Sequence, residues 1–159
     1  MIRKIGAAAG ALLLFSFSSA ARSQDGAFVE AGYGDDSTSL LRAGITYRWR
    51  ERPLPQGQWR LAGYWEIGAG IWDNFEESTT DIGATPVFRL QRSQFYVEAA
   101  IGVHLVHAHI STRGNPALQF GSHAGAGLHS GKYDFGLRVQ HLSNGGVSKP
   151  NPGNNFFLV

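Results

Sequence analysis

From residue 27 onward, apolar side chains recur at every second position in segment after segment. Leu41, Ala43, Ile45, Tyr47 and Trp49 alternate with Arg42, Gly44, Thr46, Arg48 and Arg50. Trp59, Leu61, Gly63, Trp65, Ile67, Ala69 and Ile71 alternate with Arg60, Ala62, Tyr64, Glu66, Gly68, Gly70 and Trp72. Phe95, Val97, Ala99, Ile101, Val103 and Leu105 do the same against Gln94, Tyr96, Glu98, Ala100, Gly102 and His104. A period of two marks strands with unlike faces, and no useful amphipathic helix follows residue 23. The pattern predicts eight strands, over 27–34, 39–50, 58–72, 81–91, 94–107, 119–129, 132–143 and 154–159. Turn-forming residues separate them: Pro53 to Gly57, Asp73 to Asp81, Gly114-Asn115-Pro116, and the tight pairs Arg92-Ser93 and Ser130-Gly131.

An even number of long strands joined in sequence order suits an antiparallel up-and-down barrel. Two such barrels differ in which face is inside. A soluble, lipocalin-like barrel turns its apolar face inward around a ligand. A membrane barrel turns it outward and fills the lumen with polar and small residues. The polar face here carries Gly, Ala and isolated charges of both signs: Glu30, Arg42, Arg48, Arg60, Glu66, Arg89, Glu98, Asp134 and Arg138. That list fits a narrow lumen cross-linked by ion pairs better than a solvated exterior. Tyr47, Trp49, Trp59 and Phe95 lie at strand ends on the apolar face, where an interfacial aromatic belt belongs. The expected fold is an eight-stranded antiparallel transmembrane β-barrel.

The first residues support export. Arg3 and Lys4 precede an apolar stretch from Ile5 to Phe17, and small residues follow at Ser18, Ser19, Ala20, Ala21 and Ser23. This is the layout of a cleaved signal peptide over 1–23, and the stretch is short of the ~20 residues of a spanning helix. It leaves one barrel domain over 24–159, with no room for a second. Without Arg3, Lys4 and Arg22 the chain carries 11 Lys+Arg against 12 Asp+Glu, so the pI of about 9.2 is no sign of nucleic-acid binding. The implied partner is the lipid of an outer membrane, and a homodimer is one arrangement open to such a barrel. No cysteine is present, which excludes disulfides and thiolate metal sites.

The seventh predicted strand carries the chemistry. Tyr133, Phe135, Leu137 and Val139 define its apolar face, and the same phase continues to His141 and Ser143. Two polar side chains facing lipid cost free energy unless they pair or work. Positions i and i+2 lie ~7 Å apart along one face, close enough for imidazole and hydroxyl to meet. A histidine able to take the serine proton makes a nucleophile, and on a barrel's outer wall its natural substrate is an acyl ester of a membrane lipid. The plainer reading sets both residues beyond the hydrocarbon edge, where polar side chains are ordinary. Spacing alone leaves both open.

The segment Gln140-His-Leu-Ser-Asn-Gly-Gly146, followed by Lys149-Pro-Asn-Pro-Gly-Asn-Asn-Phe-Phe157, resembles the signature of the lipid A 3-O-deacylase (PagL) family. The resemblance implies an outer-membrane serine esterase that hydrolyses the 3-position acyl ester of lipid A, the lipid anchor of lipopolysaccharide, without metal or organic cofactor. It implies that His141 is the base, Ser143 the nucleophile and Asn144 a contributor to the oxyanion site. In a regular strand Asn144 faces away from Ser143, so that role needs a twist or bulge, which Gly145 and Gly146 permit. The family pattern has a Glu fourteen residues after the His, where this chain has Asn155. An amide there can orient the imidazole but adds no charge, which leaves two routes: slower catalysis through Asn155, or a carboxylate from another strand. Asn154 to Val159 is short for a closing strand and leaves open that it is truncated. Both departures keep alive a non-catalytic structural or adhesive barrel.

Other clusters read more plainly. His104, His107 and His109 do not converge on a strand and are expected at the barrel rim rather than around a metal. His123 and His129 fall on the lumen phase. Asp73 to Glu77 with Asp81, and likewise Asp35-Asp36, are expected to be solvated loops rather than cation sites. Gly121 to Gly127 alternates as strand and is not a phosphate loop.

Overall fold

The computed structural model describes residues 25–49, 51–55, 57–74, 78–108, 117–147 and 153–159. The expected signal peptide, His109, Glu76-Glu77 and the Gly114-Asn115-Pro116 turn lie outside these residues. The strands are β1 (Gly26–Gly34), β2 (Ser39–Arg48), β3 (Arg52–Pro53), β4 (Arg60–Asp73), β5 (Ser78–Arg92), β6 (Phe95–Ala108), β7 (Ala117–Ser130), β8 (Tyr133–Ser143) and β9 (Asn154–Leu158). The two-residue β3 pairs only with the start of β4. The other eight form the wall, each antiparallel to its neighbours in chain order.

Closure falls to β9. Its five residues pair with Arg138–Leu142 of β8, and Phe156–Leu158 pair with Gly32–Gly34 of β1. Val159 then exchanges two backbone hydrogen bonds with Ala31, at 2.9 and 3.0 Å. A final strand short by sequence thus still joins the two ends of the sheet. The tight hairpins turn one residue later than expected, at Ser93-Gln94 and Gly131-Lys132. Ser93 and Gly131 adopt the positive φ that such turns need.

The barrel is inside out relative to a soluble one. Phe135 and Leu137 are 65% and 66% exposed on the outer wall, whereas Glu66 and Arg42 are 0% and 1% exposed inside it. Charges leave water cheaply only when each finds partners. Arg42 reaches Glu30 at 3.1 Å and Glu66 at 3.0 Å. Arg138 meets Glu98 at 2.7 Å, Glu66 at 2.9 Å, the Tyr64 hydroxyl at 2.7 Å, and Glu30. Arg89 meets Glu98 at 2.9 Å and also Asp134. Arg48 and Arg60, placed on the lumen face by phase, sit at strand ends and are exposed. At the other end of the lumen, Leu40, Trp72, Val106, Leu142, Phe156 and Leu158 form an apolar cluster, with Trp72 and Phe156 packed edge to face at 5.3 Å.

Two expectations are corrected by this interior. His104 is not a rim residue: it is 2% exposed, and its Nδ1 lies 2.8 Å from Asp81 Oδ1. Asp81 is not in a solvated loop either, because β5 begins at Ser78 and carries it into the lumen at 1% exposure. The His104 ring occupies space that Gly83 and Gly121 leave open; a Cβ on Gly121 would stand 2.5 Å from its Nε2.

Candidate active site on the outer wall

β8 alternates strictly, so the phase that exposes Tyr133, Phe135, Leu137 and Val139 also brings His141 and Ser143 to the outer wall. Between them Leu142 points inward and is 1% exposed, held in the apolar cluster. The strand is therefore pinned from behind at the position that separates the two polar residues. The register sets Ser122 of β7 and Asn155 of β9 on either side of His141.

Asn155 Oδ1 lies 2.8 Å from His141 Nδ1. An amide oxygen only accepts, so in the neutral ring this contact puts the proton on Nδ1 and the lone pair on Nε2. That is the tautomer a base for a serine hydroxyl needs. The ring also rests against Gly153, whose φ is +61°; a Cβ there would approach His141 Cε1 to 2.8 Å. Among the described residues no hydrogen bond joins the His141 ring to the Ser143 hydroxyl. Such contacts commonly tighten only with substrate in place.

Asn155 is itself held. Its side-chain Nδ2 donates to Asp35 Oδ2 at 2.7 Å, and its backbone N–H donates to the same oxygen at 3.0 Å. Asp35 is exposed, as expected of a solvated loop residue, and it also faces the first residues of β9. It opens the short helical turn Asp35–Ser37 between β1 and β2, in which Asp36 and Ser37 have φ of 53° and 59°. Because Gly34 pairs with Phe156, the residue after it falls beside Asn155. Sequence inspection missed Asp35: the contact spans 120 residues and exists only once the barrel closes. Its one signal was indirect, the missing carboxylate at 155.

Asn144 opens a turn rather than a bulge. The β8 ladder stops at Ser143, so strand alternation no longer sends Asn144 to the far face. Its carbonyl accepts the Val147 N–H at 3.2 Å, and its Oδ1 accepts the Gly146 N–H at 2.9 Å. Gly145 and Gly146 supply φ of +63° and +78°. The Gly146 N–H is thereby occupied, while the Gly145 N–H has no partner among the described residues. Below His141, a shallow groove lined by Ser122, Ala124, Val139, Asn155 and Phe157 runs along the wall.

A family model described as lipid A 3-O-deacylase (PagL) matches residues 40–159. The chain belongs to the lipid A 3-O-deacylase (PagL) family. It is 36% identical over 106 residues to a lipid A deacylase PagL of Bordetella bronchiseptica, covering 61% of this chain and 60% of that protein. It is 29% identical over 134 residues to a lipid A deacylase PagL of Pseudomonas aeruginosa, covering 77% of this chain and 76% of the relative. A crystal structure of the outer membrane enzyme PagL superposes with a TM-score of 0.62 at 25% identity, covering 82% of this chain and 96% of that one. The apolar outer wall is accordingly that of an outer-membrane barrel of the PagL family.

Proposed function

We propose that this chain is an outer-membrane esterase that removes the acyl chain from the 3-position of lipid A, with Ser143 as nucleophile and His141 as its base. One observation carries the reading: a histidine and a serine share the lipid-facing wall, with the Asn155 carbonyl on His141 Nδ1. The family and its named relatives supply the substrate class. The position along the wall agrees. Two-residue turns mark the periplasmic end of such barrels, and Ser143 stands at the opposite rim, level with the outer leaflet that holds lipopolysaccharide.

The steps follow from the atoms present. Ser143 Oγ attacks the ester carbonyl carbon while His141 Nε2 takes its proton. The oxyanion that forms meets the Gly145 N–H and the Asn144 side-chain amide, whose Nδ2 is turned away from Gly146 by the Oδ1 bond. The bond to the sugar oxygen breaks as Nε2 returns the proton to that oxygen. Water then attacks the acyl-serine, giving its proton to His141, and collapse of the second intermediate releases the fatty acid and restores Ser143. The groove below His141 supports one acyl chain along the wall.

The test is mass spectrometry of lipid A incubated with the purified full chain. Loss of one acyl chain by the wild type, absent with Ser143→Ala, is the expected result. Unchanged lipid A with the wild type would overturn the reading in favour of a structural barrel.

A further inference from the structure

We infer that Asp35 is a positioning residue for His141, acting through Asn155 and completing a chain Asp35–Asn155–His141 that supplies the carboxylate missing at 155. The inference rests on the deacylase reading for its catalytic consequence, but its structural content stands apart. An asparagine between a histidine and solvent is an ambiguous partner. With its oxygen toward the ring it fixes the proton on Nδ1; flipped, its NH₂ donates to Nδ1 and moves the proton to Nε2. The second tautomer has no lone pair for the Ser143 proton. Asp35 removes the ambiguity. An ionised carboxylate only accepts, so the Asn155 amide must turn its NH₂ to Asp35 Oδ2, at 2.7 Å, and its oxygen to His141, at 2.8 Å.

The same Oδ2 also accepts the Asn155 backbone N–H at 3.0 Å, so the acid is tied to the start of β9 by two bonds. The turn that presents it takes Asp36 and Ser37 into the left-handed region without a glycine, a conformation kept only where surrounding structure holds it. Asp35 also sets a negative charge one amide away from the imidazolium that forms during acyl transfer, which stabilises that cation. No proton moves along this chain; it fixes a tautomer and a charge.

The experiment is a cycle of four full-length proteins: wild type, Asp35→Asn, Asn155→Glu and the double variant, each assayed on lipid A in mixed micelles. Asp35→Asn keeps an oxygen for both bonds while removing the charge and admitting the flipped amide. It is expected to lower kcat by roughly 10- to 100-fold with KM unchanged, less than the ~10⁴ lost when a triad acid touching the ring becomes its amide. In the Asn155→Glu background the carboxylate meets Nδ1 directly, so Asp35→Asn is expected to cost nothing there. A loss under twofold in the wild-type background, or an equal loss in both backgrounds, would overturn the inference, the second because it marks a purely structural role. Nitrogen-15 NMR of the His141 ring, identified by comparison with His141→Gln, gives a readout independent of turnover. The wild-type ring is expected protonated at Nδ1, with Asp35→Asn shifting population to Nε2–H; an unchanged tautomer would overturn the inference even if Asn155→Glu fails to fold. An inactive wild type with this tautomer shift present would instead defeat the deacylase reading and leave the positioning role standing.

Discussion

Arg138 is the point at which the lumen is most exposed to perturbation. It bonds Glu66 at 2.9 Å, Glu98 at 2.7 Å, Tyr64 at 2.7 Å, and Glu30. Arg138→Met keeps most of the side-chain volume and removes the charge. Truncating one partner of a buried ion pair costs ~3–5 kcal/mol, mainly because the remaining charge stays buried and unpaired. Here the three carboxylates each keep one arginine, since Glu30 and Glu66 still hold Arg42 and Glu98 still holds Arg89. That places the expected loss near the lower bound, about 3 kcal/mol. The internal control is Arg60→Met. Arg60 pairs with Glu51 at 3.4 Å with side chains 49% and 47% exposed, and solvent screening limits such a pair to ~0–1 kcal/mol. Urea titration of both variants folded into vesicles, followed by tryptophan fluorescence and heat-modifiable gel mobility, measures the difference. A midpoint shift for Arg138→Met no larger than for Arg60→Met would show that the lumen is wet enough to screen its charges, and would refute the account of a dry, cross-linked interior.

Two further substitutions test packing at single glycines. Gly153→Ala adds a methyl 2.8 Å from His141 Cε1 at a φ of +61°; it should lower lipid A deacylation at least ~10-fold through displaced geometry, with a left-handed backbone cost of ~1–2 kcal/mol in the urea titration. Full activity in that variant would mean that the ring does not rest on Gly153. Gly121→Ala drives a methyl into the His104 ring, which Asp81 holds from the other side, and should destabilise the barrel by ~1–3 kcal/mol in the same titration. His104→Ala should relieve that cost, and an unrelieved cost would place the strain elsewhere.

The strands were legible because a wall one residue thick faces lipid on one side and a packed lumen on the other, so every residue declares its side. His141 and Ser143 were legible for the same reason, as polar side chains in the lipid phase. What lay beyond reach depended on register between strands distant in sequence. His104 and Asp81 look like rim and loop residues one at a time; only the pairing of β5 with β6, Gly83 against His104, brings them together inside. Asp35 needed the barrel to close, since β9 joins β1 only in the finished sheet. For Asn144 alternation gives no answer, because the ladder ends one residue earlier, at Ser143.

On the proposed reading, a working surface on the outer wall changes what substrate concentration means. Molecules that reach the groove below His141 arrive sideways, by diffusion within the leaflet, and never pass through bulk water. The encounter rate then follows the fraction of neighbouring lipids that are substrate, not the number of moles per litre. Adding inert detergent or phospholipid slows such a protein by surface dilution even when the total amount of lipid A is unchanged. The barrel behaves as a reactant confined to two dimensions, with its filled lumen acting as a rigid post that holds one catalytic edge at a fixed depth.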